Sequence, residues 1–134
     1  MGKCVYNGTA WQRLSCAVSP SIATGTGAGT GATASISGSD LGGVITITAG
    51  TTPAANATVV TVTFNTAFKT APKTVLITAA DNDASAVLFS SAGSRAWFVE
   101  PSNISTTVFT VNSGSAVNAA VNGTEYKIHY TVTQ

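Results

Sequence analysis

A single histidine, His129, is the first limit on the chemistry open to this chain. One imidazole cannot build a histidine metal cluster, and its place among strand residues suits an exposed or interface side chain. Asp81-Asn82-Asp83 supplies hard oxygen donors of the kind calcium takes. The glycine and distal glutamate of an EF-hand loop are missing, so we read a turn there. Glu100 and Glu125 could pair as glycosidase carboxylates, but no spacing singles them out from other acids. No Gly-x-Ser-x-Gly places a nucleophile beside a base. Gly25 and Gly27 begin a GxGxxG string, yet Thr30 occupies the third glycine position and no βαβ unit surrounds it. Trp97, Phe98 and Phe109 could line a sugar-binding surface; core packing is the plainer role for them. We therefore expect no catalytic residues, no cofactor and no required metal.

The composition narrows the classes further. The chain has 134 residues, enough for one domain with an appendage and a real core. Charged residues make up only 8% and the formal net charge is +1. Nucleic-acid binding needs clustered Lys and Arg, and Lys69 and Lys73 flanking a turn do not supply it. No apolar run approaches the ~20 residues of a membrane span. Thr, Ser, Asn and Gly carry the polarity instead, and such a surface costs little to desolvate. That suits a large oligomeric interface or a protein exposed to harsh solvent. The start MGKCVYNG has no apolar h-region and does not complete a myristoylation pattern. Synthesis in a cytosol is the expectation, with Cys4 and Cys16 as free thiols. The Asn-x-Thr/Ser strings at Asn7, Asn56, Asn103 and Asn122 then read as turn and strand chemistry.

The elements that must carry these residues are strands. Between Gly43 and Ala80, apolar side chains alternate with threonine in three runs. Ile45, Ile47 and Ala49 share a face; so do Val60, Val62 and Phe64; so do Val75, Ile77 and Ala79. A period of two with β-branched residues marks half-buried strands. Ala34 and Ile36 start an earlier strand. Residues 86–89, 96–99 and 106–111 read as further short strands, with a small-residue loop from 112 to 123. The last strand, 125–133, turns Tyr126, Ile128, Tyr130 and Val132 inward and Lys127, His129, Thr131 and Thr133 outward. Roughly eight strands without a convincing helix predict an all-β antiparallel sandwich or jelly roll over residues 33–134.

Two units precede it. Residues 1–18 predict a hairpin with Asn7-Gly8 as a two-residue turn, which sets Tyr6 opposite Thr9 and Cys4 opposite Trp11. A lone hairpin is marginal in water, so Tyr6, Trp11 and Leu14 must dock on something. Residues 19–32, SPSIATGTGAGTGA, predict a flexible Gly-rich linker reaching on the order of 20 Å.

The hairpin segment CVYNGTAWQRLS resembles the Tyr-Asn-Gly-Thr-x-Trp segments of bacteriophage fibre and virion proteins. The strand series from Ile36 to Asp81, with the closing TEYKIHYTVTQ, is similar to the C-terminal β domain of phage tail-fibre, head-fibre and capsid-decoration proteins. That resemblance implies a homotrimeric, non-enzymatic protein on the virion surface, made in the host cytoplasm. It implies that residues 1–18 anchor it to capsid or tail proteins, through Tyr6, Trp11 and Leu14. The absence of a long shaft favours a capsid decoration or head-fibre protein. The alternative is a tail-fibre adhesin that recognises a host-surface glycan.

Overall fold

Alternating threonine and β-branched residues become strands in this protein almost wherever they occur. The computed structural model describes the backbone of residues 4–6 and 11–13, and all of residues 19–88, 97–115 and 120–134. The strands are β1 (Cys4–Tyr6), β2 (Trp11–Arg13), β3 (Ser21–Thr24), β4 (Thr33–Ser39), β5 (Gly42–Thr48), β6 (Thr58–Thr63), β7 (Thr74–Ala79), β8 (Trp97–Phe98), β9 (Val108–Ser113) and β10 (Glu125–Thr133). One short helix, α1 (Asn82–Leu88), interrupts them.

Strands β4-β5-β10-β7 form one four-stranded sheet and β3-β6-β9-β8 the other, with every pair antiparallel. The protein is an all-β sandwich. Its core lies where the inward faces meet: Ile45 and Ile47 from β5, Ile128 and Tyr130 from β10, Val62 from β6 and Phe109 from β9 are all buried. Each such side chain contributes about 1.5–3 kcal/mol by leaving water. The expected inward sets on β5, β6, β7 and β10 are buried or half-buried, and Val59 joins that of β6. On β10 the alternation is complete, with Tyr126, Ile128, Tyr130 and Val132 buried and their neighbours exposed.

The hairpin register differs from expectation. Tyr6 pairs with Trp11 and Cys4 with Arg13, so four residues separate the strands rather than two. The Asn7-Gly8 turn itself, Leu14 and Cys16 lie outside the described residues.

The expected linker is also corrected. Residues 21–24 are an edge strand, paired with Val60 to Thr63 of β6. The glycines that follow form a 3₁₀ turn at Thr26–Ala28 that seats Ala28 fully in the core. Gly25 N donates to Val59 O at 2.8 Å, and Gly50 N donates to Ala28 O at 2.9 Å. A Cβ on Gly25 would stand 2.3 Å from Thr58 O, and one on Gly27 would stand 2.7 Å from Ala57 O. These glycines therefore permit close backbone packing. Composition alone cannot tell that use from flexibility. The sandwich accordingly includes residues 19–32, and Ser19 Oγ already donates to Gly38 O at 3.2 Å.

Residues 86–88, expected to open a strand, end α1 instead. Asp81 Oδ1 accepts from Ala84 N at 2.7 Å, the geometry of a helix N-cap. Ala84 and Val87 then face inward at helical spacing. The later strand falls at 108–113 rather than 106–111, because Ser105 Oγ accepts from Thr107 N and Val108 N and so holds those residues in a turn.

The role of the glycine string is testable. Gly27→Ala should destabilise the protein by about 1–3 kcal/mol in urea denaturation, as overpacking against a fixed backbone does. In a flexible linker the same change would be neutral or slightly stabilising.

Candidate functional site

The second sheet carries an irregularity with consequences for its outer face. Thr58 pairs with Asn112, but Val60, not Val59, pairs with Val111. One residue of β6 is therefore unmatched, a β-bulge. Val59 and Val60 are both buried, and the shift in parity leaves Thr58 facing outward beside Asn112. Phe98 of β8 pairs with Asn112 from the other side. Thr58, Asn112 and Phe98 thus form a row across three strands.

The row floors a groove of about 290 Å³. Asn56 and Ala57 wall one side, and Glu100 and Asn103 wall the other. Asn56 adopts a left-handed conformation with φ of 50°, an arrangement that asparagine tolerates better than most residues. Its loop is held from below by Ser113, a buried polar residue. Ser113 Oγ donates to Ala54 O at 2.8 Å and accepts from Ala57 N at 3.2 Å. Asn56 N donates to Gly114 O at 3.0 Å. Asn112 Oδ1 accepts from the Thr58 and Thr110 hydroxyls at 3.2 and 3.4 Å, which orients its amide. Glu100 precedes a 3₁₀ turn at Pro101–Asn103, and its Oε2 accepts from Ser102 Oγ and Asn103 Nδ2 at 3.5 and 3.4 Å.

The three aromatics considered together in the sequence part company here. Trp97 and Phe109 are buried, with Trp97 edge-on to Tyr126 at 5.2 Å between ring centres and Phe109 tilted against Tyr130 at 5.8 Å. Phe98 is 36% exposed and faces the groove. The adjacent residues of one strand point to opposite faces, so one belongs to the core and the other to the site.

The remaining candidates lie elsewhere. His129 is exposed on the first sheet, opposite Val44 and Thr78. Glu125, also on the first sheet, pairs with Lys127 at 2.9 Å, while Glu100 lies beyond β8 of the second. The two glutamates share no groove, so the carboxylate pair considered above does not form. The Glu125 contact holds the Lys127 ammonium above the ordinary lysine range. Asp81 spends both oxygens on backbone donors, Ala84 N and, at 2.9 Å, Lys127 N. Asp40 does the same with Asn65 N and Thr66 N, at 2.7 and 2.9 Å. Among the described residues, no three His, Cys, Asp or Glu side chains are placed to hold a metal ion. Tyr6 and Trp11 are backbone register partners across β1 and β2; Leu14 lies outside the described residues.

Sequence reasoning passed over Thr58 and Asn112 and read Asn56 and Asn103 only as turn and strand chemistry. One signal was present. TVVTVTF has two adjacent valines where strict alternation allows one, and that is how a bulge reads in sequence. The partners that make the bulge a site come from distant segments and carry no local mark.

Elsewhere the phenol of Tyr130 gives a pH prediction. Its hydroxyl donates to Ser39 O, and burial, helped by the nearby Asp40 charge, pushes its pKa up to about 12 from 10.0. Between those values the unfolded chain has lost this proton and the folded chain keeps it. Stability from this group is therefore complete below pH 10 and is lost as pH rises through about 12. Subtracting the alkaline melting curve of Tyr130→Phe from that of the native protein should isolate this decline. The variant should also lose about 1 kcal/mol at neutral pH, with Ser39 O unpaired.

No protein family, no curated protein and no solved structure matches this chain.

Proposed function

We propose that this chain is a non-enzymatic structural protein of a bacteriophage virion, a homotrimeric capsid-decoration or head-fibre protein. The observation that carries the reading is the division of the chain into two unequal β units. One is a hairpin of two three-residue strands, β1 and β2, which among the described residues pair only with each other. The other is an eight-stranded sandwich closed on its own core. A hairpin of that size is marginal in water and needs a surface to dock on. Residues 1–18, with Tyr6, Trp11 and Leu14, are assigned the docking role, and the capsid supplies the surface. The sandwich stands outside.

The chemistry of the sandwich supports a structural role. Asp40 and Asp81 are committed to backbone donors. The outer face of the first sheet is built from short hydroxyl side chains such as Ser35, Ser37, Thr78 and Thr131, all exposed. Neutral hydroxyls are cheap to desolvate compared with ions, which suits contact between copies of the chain. Because residues 21–32 belong to the sandwich, they do not serve as a long tether between the docking unit and the sandwich.

Sedimentation of the recombinant chain should give about three times its 13.4 kDa mass. A monomer at all accessible concentrations would refute the trimer. Deleting residues 1–18 should abolish co-sedimentation with particles lacking the protein, while leaving the circular-dichroism spectrum and melting of the sandwich intact. Trp11→Ala should weaken attachment about ten-fold or more. A deletion that instead lowers the melting temperature substantially would mean that the hairpin packs on its own sandwich and is no anchor.

A further inference from the structure

We propose that the groove between Phe98, Asn112 and Thr58 binds a neutral saccharide, with a sugar ring lying on the face of Phe98. This goes beyond the assembly role above and does not rest on it.

Four features of the groove select that ligand class. Among the described residues its only charged lining group is the Glu100 carboxylate, and no Lys or Arg contributes. At this described lining an anion meets the Glu100 charge and no counter-charge, which favours a neutral ligand over phosphate, carboxylate and nucleic-acid groups. Second, Asn56, Asn103 and Asn112 bring amides, each of which both donates and accepts. Sugar hydroxyls also do both, and a carboxylate such as Glu100 accepts strongly from them. Third, Phe98 is an exposed aromatic side chain in a lining that is otherwise polar apart from Ala57, and it is flat enough to cover the C–H face of a pyranose. Fourth, the volume of about 290 Å³ lies at the small end of ligand sites and fits one or two rings.

The groove is also preorganised. Its floor sits on three hydrogen-bonded strands, and the bulge at Val59 turns Thr58 outward. The Asn112 oxygen accepts from two threonine hydroxyls, which fixes the orientation of its amide at the groove. Ser113 fastens the Asn56 loop from beneath. Fixed polar groups lose little entropy on binding, so even a small ligand gains from them. A single shallow groove of this kind corresponds to a millimolar dissociation constant. Repetition on an assembled surface would raise the avidity.

The test is a titration of the full ¹⁵N-labelled chain with D-glucose, D-galactose, N-acetyl-D-glucosamine and L-rhamnose, each to concentrations well above millimolar. At least one sugar should shift the amides of residues 56–58, 98–103 and 112–113 and leave those of β10 unmoved. Phe98→Ala should weaken that binding about ten-fold with an unchanged melting temperature. Glu100→Gln should weaken it several-fold, and Glu125→Gln, on the other sheet, should not change it. If Phe98→Ala does not fold, Glu100→Gln decides. The proposal is overturned if none of the four sugars moves the groove amides, or if the sugar that moves them binds both groove variants as well as it binds the native chain. Neither result bears on attachment through residues 1–18, which is read from particle binding.

Discussion

Strand β10 is the element on which the rest of the sandwich depends. It lies inside the first sheet with a partner along each side, β5 and β7. Its four buried side chains supply much of the core, and two of its aromatics reach the second sheet: Tyr126 meets Trp97 and Tyr130 meets Phe109. The same strand secures the periphery. The Tyr126 hydroxyl accepts from Val121 N at 2.7 Å, the Tyr130 hydroxyl donates to Ser39 O, and Lys127 N donates to Asp81 at the start of α1. A loop, a hairpin turn and a helix are thus fixed by one nine-residue element. Each of these bonds satisfies a backbone group that would otherwise be costly to bury or leave loose.

A chain with so few charges needs another way to close its loops, and short polar side chains provide it. Asp40, Asp81, Ser105 and Ser113 each hold two or more backbone groups. Hydrogen bonds from backbone N–H to a carboxylate are stronger than neutral ones and tie up few rotatable bonds. By contrast, Glu125–Lys127 is an exposed ion pair, and such pairs contribute little. Spending acids on turns leaves the outer faces mainly to threonine, serine and asparagine. The groove around Phe98 grows out of the same economy, since Ser113 is the internal fastener and Asn112 the adjacent outward residue.

Much of the fold was legible in residue patterns. Stiff β-branched side chains alternating with threonine specify strand and face together, because strand geometry sends neighbours to opposite sides. That is why the inward sets on β5, β6, β7 and β10 could be read directly, along with the all-β class. The capping oxygen of Asp81 was legible in principle but was outweighed by the density of strand formers around it, so one helix reads in sequence as a turn followed by a strand.

What tertiary structure alone decided were the meanings of residues that serve several purposes. Glycine suits a loose tether and a tight contact equally well; only the approach of Thr58 and Ala57 made Gly25 and Gly27 the second. Trp97 and Phe98 are neighbours of similar character, and only the placement of β8 against β9 sent one to the core and the other to the groove. Asn56, Asn103 and Asn112 lie far apart in the chain and acquire a common site through the pairing of β6, β8 and β9. Local sequence determines which way a side chain alternates, because that is a property of one strand. Which residues meet is a property of strand order and register, set by the summed burial of the whole core.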